Sequence, residues 1–222
     1  MTINAPAAAA PAKPDAHSPG FNLGVIALVV AMAGLGLAYG IDAMGRSAKT
    51  AVAGTLERTL GSARLDIPAS WFREDAERSE GFAKQVELAI PLALGPEGAV
   101  RQIDVTLLPR SRVRPSASLL DGVYLHQFTD EQASGPLGLI GKPLAPREGF
   151  AGETVWYDAL SAAPFVAKCL EPLTAETSGR CLRTVYLGPG IAAVYSFDAD
   201  ILDKWREFDA QLHPLLKQIG AL

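Results

Sequence analysis

Residues 164–187 read PFVAKCLEPLTAETSGRCLRTVYL. Apolar β-formers flank a stretch rich in Pro, Thr, Ser and Gly, the pattern of two antiparallel strands joined by a long loop. Both cysteines of the chain, Cys169 and Cys181, fall here. A hairpin symmetric about Ala175 sets them opposite each other. Cross-strand partners have Cβ atoms about 4.5–5.5 Å apart, close to the roughly 3.5–4.5 Å of a disulfide. The expectation is a Cys169–Cys181 disulfide, and disulfides persist in oxidising compartments. The alternative is two buried, reduced thiols acting as small hydrophobes. The pair lacks the CxxC spacing of a zinc or redox site, and His17, His126 and His213 show no ligand pattern.

Outward from the hairpin, IAAVYSF (191–197) reads as a further strand. DADILDKWREFDAQLHPLLKQIG (198–220) follows, with Ile201, Trp205, Phe208, Leu212, Leu215 and Ile219 recurring at three and four residues. That spacing predicts an amphipathic helix, capped near Asp198 or Asp200 and kinked or restarted at Pro214. Upstream, ARLDIPASWF predicts an opening strand ending near Pro68. KQVELAIPL and VRQIDVTLL alternate apolar and polar residues on either side of the turn residues GPEG, a hairpin signal. SASLLDGVYLHQF predicts a helix capped near Ser116 or Ser118. GPLGLIGKPLAPREGFAG reads as a loop, and GETVWYDAL as a strand with Val155, Tyr157 and Ala159 on one face. The fold class is α+β: an antiparallel sheet of about six strands with a C-terminal amphipathic helix packed on it.

The segment FNLGVIALVVAMAGLGLAYGI (21–41) has no charged residue. At about 1.5 Å per residue it reaches roughly 31 Å, the thickness of a bilayer's hydrocarbon core. It is too long for the apolar core of a cleaved signal, and its start is poor in basic residues. The expectation is a transmembrane helix over 21–45, preceded by a disordered Ala/Pro-rich tail (1–20). A juxtamembrane stalk (46–61) and a globular domain (62–222) follow. Gly36 and Gly40 form a GxxxG, read either as a pairing face for a homodimer or as the ordinary glycine of membrane helices. Arg46, Lys49 and Arg58 after the span, taken alone, place the domain in the cytoplasm. The cysteines place it in the periplasm, and that reading is favoured: a single pass through a bacterial inner membrane, carboxyl domain outside.

The chain has 222 residues, a net charge of −4 and 20% charged residues. That balance argues against a dedicated nucleic-acid binder, which would be strongly basic. No GxSxG occurs, and GLIGKP lacks the first Gly and the Ser/Thr of a phosphate loop. Glu74, Asp75, Glu77 and Glu80 lie among Arg73 and Arg78 with little apolar neighbourhood, a solvated face rather than an acid–base pair. No pattern calls for a cofactor or a metal. RSRVRP (110–115) is the binding candidate: in an extended chain Arg110, Arg112 and Arg114 point to one side and suit phosphate or carboxylate, on a lipid headgroup or an acidic partner. The alternative is an exposed polar loop.

LDIPASW, followed by meander strands and a closing helix, resembles the PsbP-like fold of small exported lipoproteins and accessory proteins. The resemblance covers roughly 63–219 in element order. It implies binding or assembly rather than catalysis and carries over no functional residue. The expected role is a non-catalytic envelope binding or assembly factor, its partners the lipid bilayer and another envelope or membrane protein. The alternatives are a cytoplasm-facing scaffold subunit of a membrane complex and a membrane-anchored envelope hydrolase.

Overall fold

The computed structural model describes residues 28–30, 32–34, 54–73, 78, 80–94, 98–146, 151–172, 174, 177–188 and 190–222. Met1–Ala51 and Val52–Leu222 are separate compact units, and the second holds every described strand. Residues 28–30 and 32–34 are helical and exposed. Among the described residues, no helix is long and apolar enough to cross a membrane. The rest of the span expected at 21–45, the tail 1–20, and Gly36 and Gly40 lie outside the described residues.

The domain opens with β1 (Thr55–Leu60), inside the segment expected to be a stalk. β1 turns through Gly61 and Ser62 into β2 (Ala63–Pro68), with Leu60 paired to Ala63. Gly61 takes φ +62°, the left-handed conformation this two-residue turn needs. The stalk reading fails for 55–60 because Leu56, Arg58 and Leu60 point inward on alternate positions, and Leu60 joins the core. β3 (Gly81–Ala83) pairs parallel to β1, completing a three-stranded sheet in the order β2-β1-β3.

β4 (Val86–Leu94) and β5 (Ala99–Pro109) form the expected hairpin over nine residue pairs. The sheet they begin has seven antiparallel strands, ordered β4-β5-β10-β9-β8-β7-β6. β6 is Ile140–Pro143, β7 Glu153–Tyr157, β8 Val166–Leu170, β9 Arg180–Tyr186 and β10 Ile191–Asp198. β4 is an outer strand and carries Pro91, exposed, in its middle. β6 falls inside the stretch expected to be a loop. Its glycines are there for close approach more than for turning: a Cβ on Gly141 would lie 2.5 Å from Trp156 Cζ3, and one on Gly135 2.2 Å from Trp156 Cη2. The Trp156 ring occupies the room those two missing side chains leave.

The inner sheet face packs on the closing helix α2 (Trp205–Gln218), with Tyr195, Phe197, Phe208, Leu212 and Leu216 fully buried. Leu216 takes the interior position expected of Leu215, which is half-buried. The helix runs through Pro214 without a break. A 3-10 stretch, Ala199–Lys204, leads into it, and no side chain caps either segment. Asp198 and Asp200, the expected caps, pair instead with Arg180 (2.8 Å) and Arg101 (2.5 Å).

The outer face is covered at its β6–β8 end. There the short helix α1 (Ser116–Gly122) and the turn Tyr124–His126 place Leu120 and Tyr124 over Val155 and Val166. Successive residues Val155 and Trp156 serve opposite faces, one in each cluster.

Candidate functional site

The cysteine hairpin forms as expected. Cys169 and Cys181 are paired residues of β8 and β9, their Cα atoms are 3.9 Å apart, and they form a disulfide. Both are buried. The pairing of β8 with β9 covers only Lys168↔Leu182, Cys169↔Cys181 and Leu170↔Arg180. β9 nevertheless stays paired with β10 as far as Tyr186. Beyond Leu182 the two strands therefore part, and a wedge opens between them.

Ser116, the first residue of α1, fills the apex of the wedge. Its side chain is buried and accepts a hydrogen bond from Thr184 N–H at 2.8 Å. Ser116 or Ser118 is the expected cap of α1, but no side chain caps it, and Ser116 serves β9 in place of the missing strand partner. By the two-residue alternation of a strand, Tyr186 turns its main-chain groups to the same side. The wedge encloses a pocket of about 260 Å³ with largely apolar walls: Pro115, Ala117, Pro164, Val166, and the Thr184 and Tyr186 stretch of β9.

Arg183 closes the floor. It is buried, lies 4.5 Å from the Phe165 ring centroid, and makes a bidentate pair with Asp209 of α2, Nη2 to Oδ2 at 2.7 Å. A buried guanidinium needs such a partner, and the fork geometry of Arg supplies two parallel bonds. Tyr195 lies nearby in the core; burial pushes its phenol well above the usual range, with Asp209 adding to the effect and Arg183 opposing it. Burial likewise raises Tyr124, with Glu153 adding to it.

The arginine stretch borders this wedge. Arg110–Arg112 wind into a 3-10 turn, so the expected one-sided extended ridge does not form. Pro109 ends β5 and starts the turn, and Arg110 and Arg112 take different partners. Arg110 stacks on the Tyr186 ring, 3.9 Å from its centroid, and the Tyr186 hydroxyl donates to Val113 O at 3.0 Å. Arg112 donates to Lys84 O (3.3 Å) and Gln85 Oε1 (3.4 Å), both neutral acceptors. Arg114 is exposed and Pro115 is already pocket wall.

Elsewhere on the outer face, Asp104 accepts from Arg73 and Arg180, and Arg180 also reaches Asp198 and Ser196. Burial works against the Arg180 charge, and its bonds to Asp198 and Asp104 outweigh that, so its pKa rises. These charges satisfy one another. His126 lies on the turn over the outer face and His213 on α2, under the inner one; both are exposed. Of the acidic group, Glu80 is exposed, and Glu74, Asp75 and Glu77 lie outside the described residues. No three His, Cys, Asp or Glu side chains among the described residues could hold a metal together.

Sequence reading finds the disulfide and the arginines but not the wedge. The one signal is RTVY (183–186), whose Arg sits at an inward position of an otherwise apolar strand face.

No family model matches the chain, and no curated protein does. Two solved structures are similar in fold. Smlt3025, an immunity protein of the Stenotrophomonas maltophilia type IV secretion system, superposes with a TM-score of 0.51 at 14% identity, over 75% of this chain and 93% of its own. The Neisseria meningitidis iron-regulated outer membrane lipoprotein FrpD superposes with a TM-score of 0.45 at 10% identity, over 76% of this chain and 92% of its own. At 14% identity the first likeness is one of fold. The PsbP-like resemblance finds no counterpart in either.

Proposed function

We propose that this protein is a non-catalytic binding or assembly factor of the bacterial envelope, held in the inner membrane by a single helix over 21–45, with its globular domain in the periplasm. The observation that carries the reading is the buried Cys169–Cys181 disulfide. Such a bond is kept in oxidising compartments and lost in reducing ones. The uncharged stretch 21–41, long enough to span a bilayer, supports the anchor. A non-catalytic role is supported by the separation of the two described histidines onto opposite sheet faces and by the mutual pairing of the outer-face charges. The fold likeness to an immunity protein of a secretion system fits a role exercised by binding.

The test is protease accessibility of a carboxyl-terminal tag in spheroplasts, with thiol labelling of the same cells. The expected result is loss of the tag and no labelled cysteine. A protected tag with two reactive thiols overturns the periplasmic reading in favour of a cytoplasm-facing scaffold subunit.

A further inference from the structure

We propose that one end of the seven-stranded sheet docks an acidic, extended segment of a partner protein, with an apolar side chain of that segment seated in the wedge between β8 and β9. This deepens the binding role proposed above and rests on it.

The strand registers gather the site. Ile191 pairs with Pro109, Ala192 with Tyr186, Leu107 with Val86, and Tyr157 with both Ile140 and Val166. The start of β4, the end of β5, the end of β9 and the β7–β8 loop thus share one end of the sheet. Lys84, Arg110, Arg112 and Arg114 lie there, all exposed. Among the described residues, none of the three arginines is paired with a carboxylate: Arg110 stacks on a ring and Arg112 bonds neutral oxygens. Two acids at this end, Glu87 and Asp158, bond neutral donors (Gln85 at 2.7 Å, Leu160 N–H at 3.0 Å) and keep their charge, but the four cations outnumber them. The surface therefore presents positive charge and calls for a negative partner.

The wedge says what kind. At about 260 Å³ it is below the roughly 300–1,000 Å³ usual for small-molecule sites, but it can take an aliphatic side chain. On its β9 wall Ser116 already takes Thr184 N–H, and the main-chain groups of Tyr186 turn to where the ladder to β8 has stopped, the recognition mode of an added strand. At the same end Leu160 is 97% exposed, on the β7–β8 loop that also supplies the pocket wall Pro164. A lipid headgroup would engage the arginines and leave the wedge and its main-chain groups unused. An acidic peptide with an apolar residue engages all three.

The test is selection of random displayed peptides against the full-length oxidised protein in detergent. The expected result is enrichment of peptides that flank one aliphatic residue with Asp or Glu. Binding of those peptides should weaken at least about tenfold with Arg110→Glu plus Arg114→Glu, with Arg114→Glu alone to a lesser degree, and with Ala117→Trp, which fills the wedge, each variant first matched to the parent in melting temperature. The proposal is overturned by three outcomes: no enrichment, enriched peptides without acidic bias, or peptides bound equally by all variants. Phosphatidylglycerol vesicles, bound in an arginine-dependent way while no peptide is selected, would assign the arginines to lipid and also overturn it. Tag accessibility reads the envelope proposal separately, so a periplasmic domain that selects no acidic peptide sinks the docking surface alone.

Discussion

Reducing the Cys169–Cys181 bond tests how the large sheet is held together. The bond closes a 12-residue separation, for which the chain-entropy model gives about 3 kcal/mol. The structure makes that term count. β8 meets β9 through three residue pairs, the disulfide is the middle one, and β8 carries β7 and β6 with it. Three pairs are a thin connection between the four strands β4-β5-β10-β9 and the three strands β8-β7-β6. For a domain of this size, a loss of about 3 kcal/mol lowers the melting temperature by roughly 6–12 °C. The assay is differential scanning fluorimetry with and without a phosphine reductant, with Cys169→Ala plus Cys181→Ala as a reductant-insensitive control. Hydrogen exchange gives a second readout: amides of Lys168–Leu170 should lose protection before those of β4 and β5. A shift below about 2 °C after complete reduction would refute the reasoning, because the three pairs and the α1 contacts would then hold the seam alone.

Tyr195 is fully buried and its hydroxyl has no hydrogen-bond partner among the described residues, so Tyr195→Phe should be neutral or stabilising by up to about 1 kcal/mol. Burial raises the Tyr195 pKa. Stability should therefore be full below about pH 10, where the unfolded phenol is also protonated, and fall above it as only the unfolded one ionises; melting temperatures across that range should show a flatter alkaline limb in Tyr195→Phe. Asp209→Asn leaves Arg183 buried beside a neutral amide and should cost about 2–3 kcal/mol in urea unfolding, with Arg183→Met plus Asp209→Leu recovering much of the loss. Gly141→Ala drives a methyl against Trp156 and should cost about 1–3 kcal/mol by the same measurement, with Trp156→Leu relieving part of it.

The legible parts of the fold were those where one local pattern decides. The cysteine hairpin follows from symmetry about Ala175, and the β4–β5 hairpin from clean alternation around a Gly/Pro turn. β1 was hidden because Arg58 occupies an inward position between Leu56 and Leu60, breaking the apolar alternation. The Gly61-Ser62 pair between two short runs was the available hairpin signal. β6 was hidden because Gly141 reads as a loop residue, whereas its role depends on Trp156, fifteen positions away in sequence and paired with it across the ladder. The wedge depends on where β8 stops pairing with β9, a fact of tertiary register that no short stretch encodes. The arginines were visible, but their extended geometry was not realised because Pro109 starts a turn.

Pro91 carries a consequence for how copies of this protein can live side by side. A nine-residue outer strand such as β4 invites another copy to continue the sheet. A proline offers no amide hydrogen to such a neighbour, and its ring stands in the way of a continuous ladder. One residue in the middle of β4 thus works against copies joining their sheets through this edge.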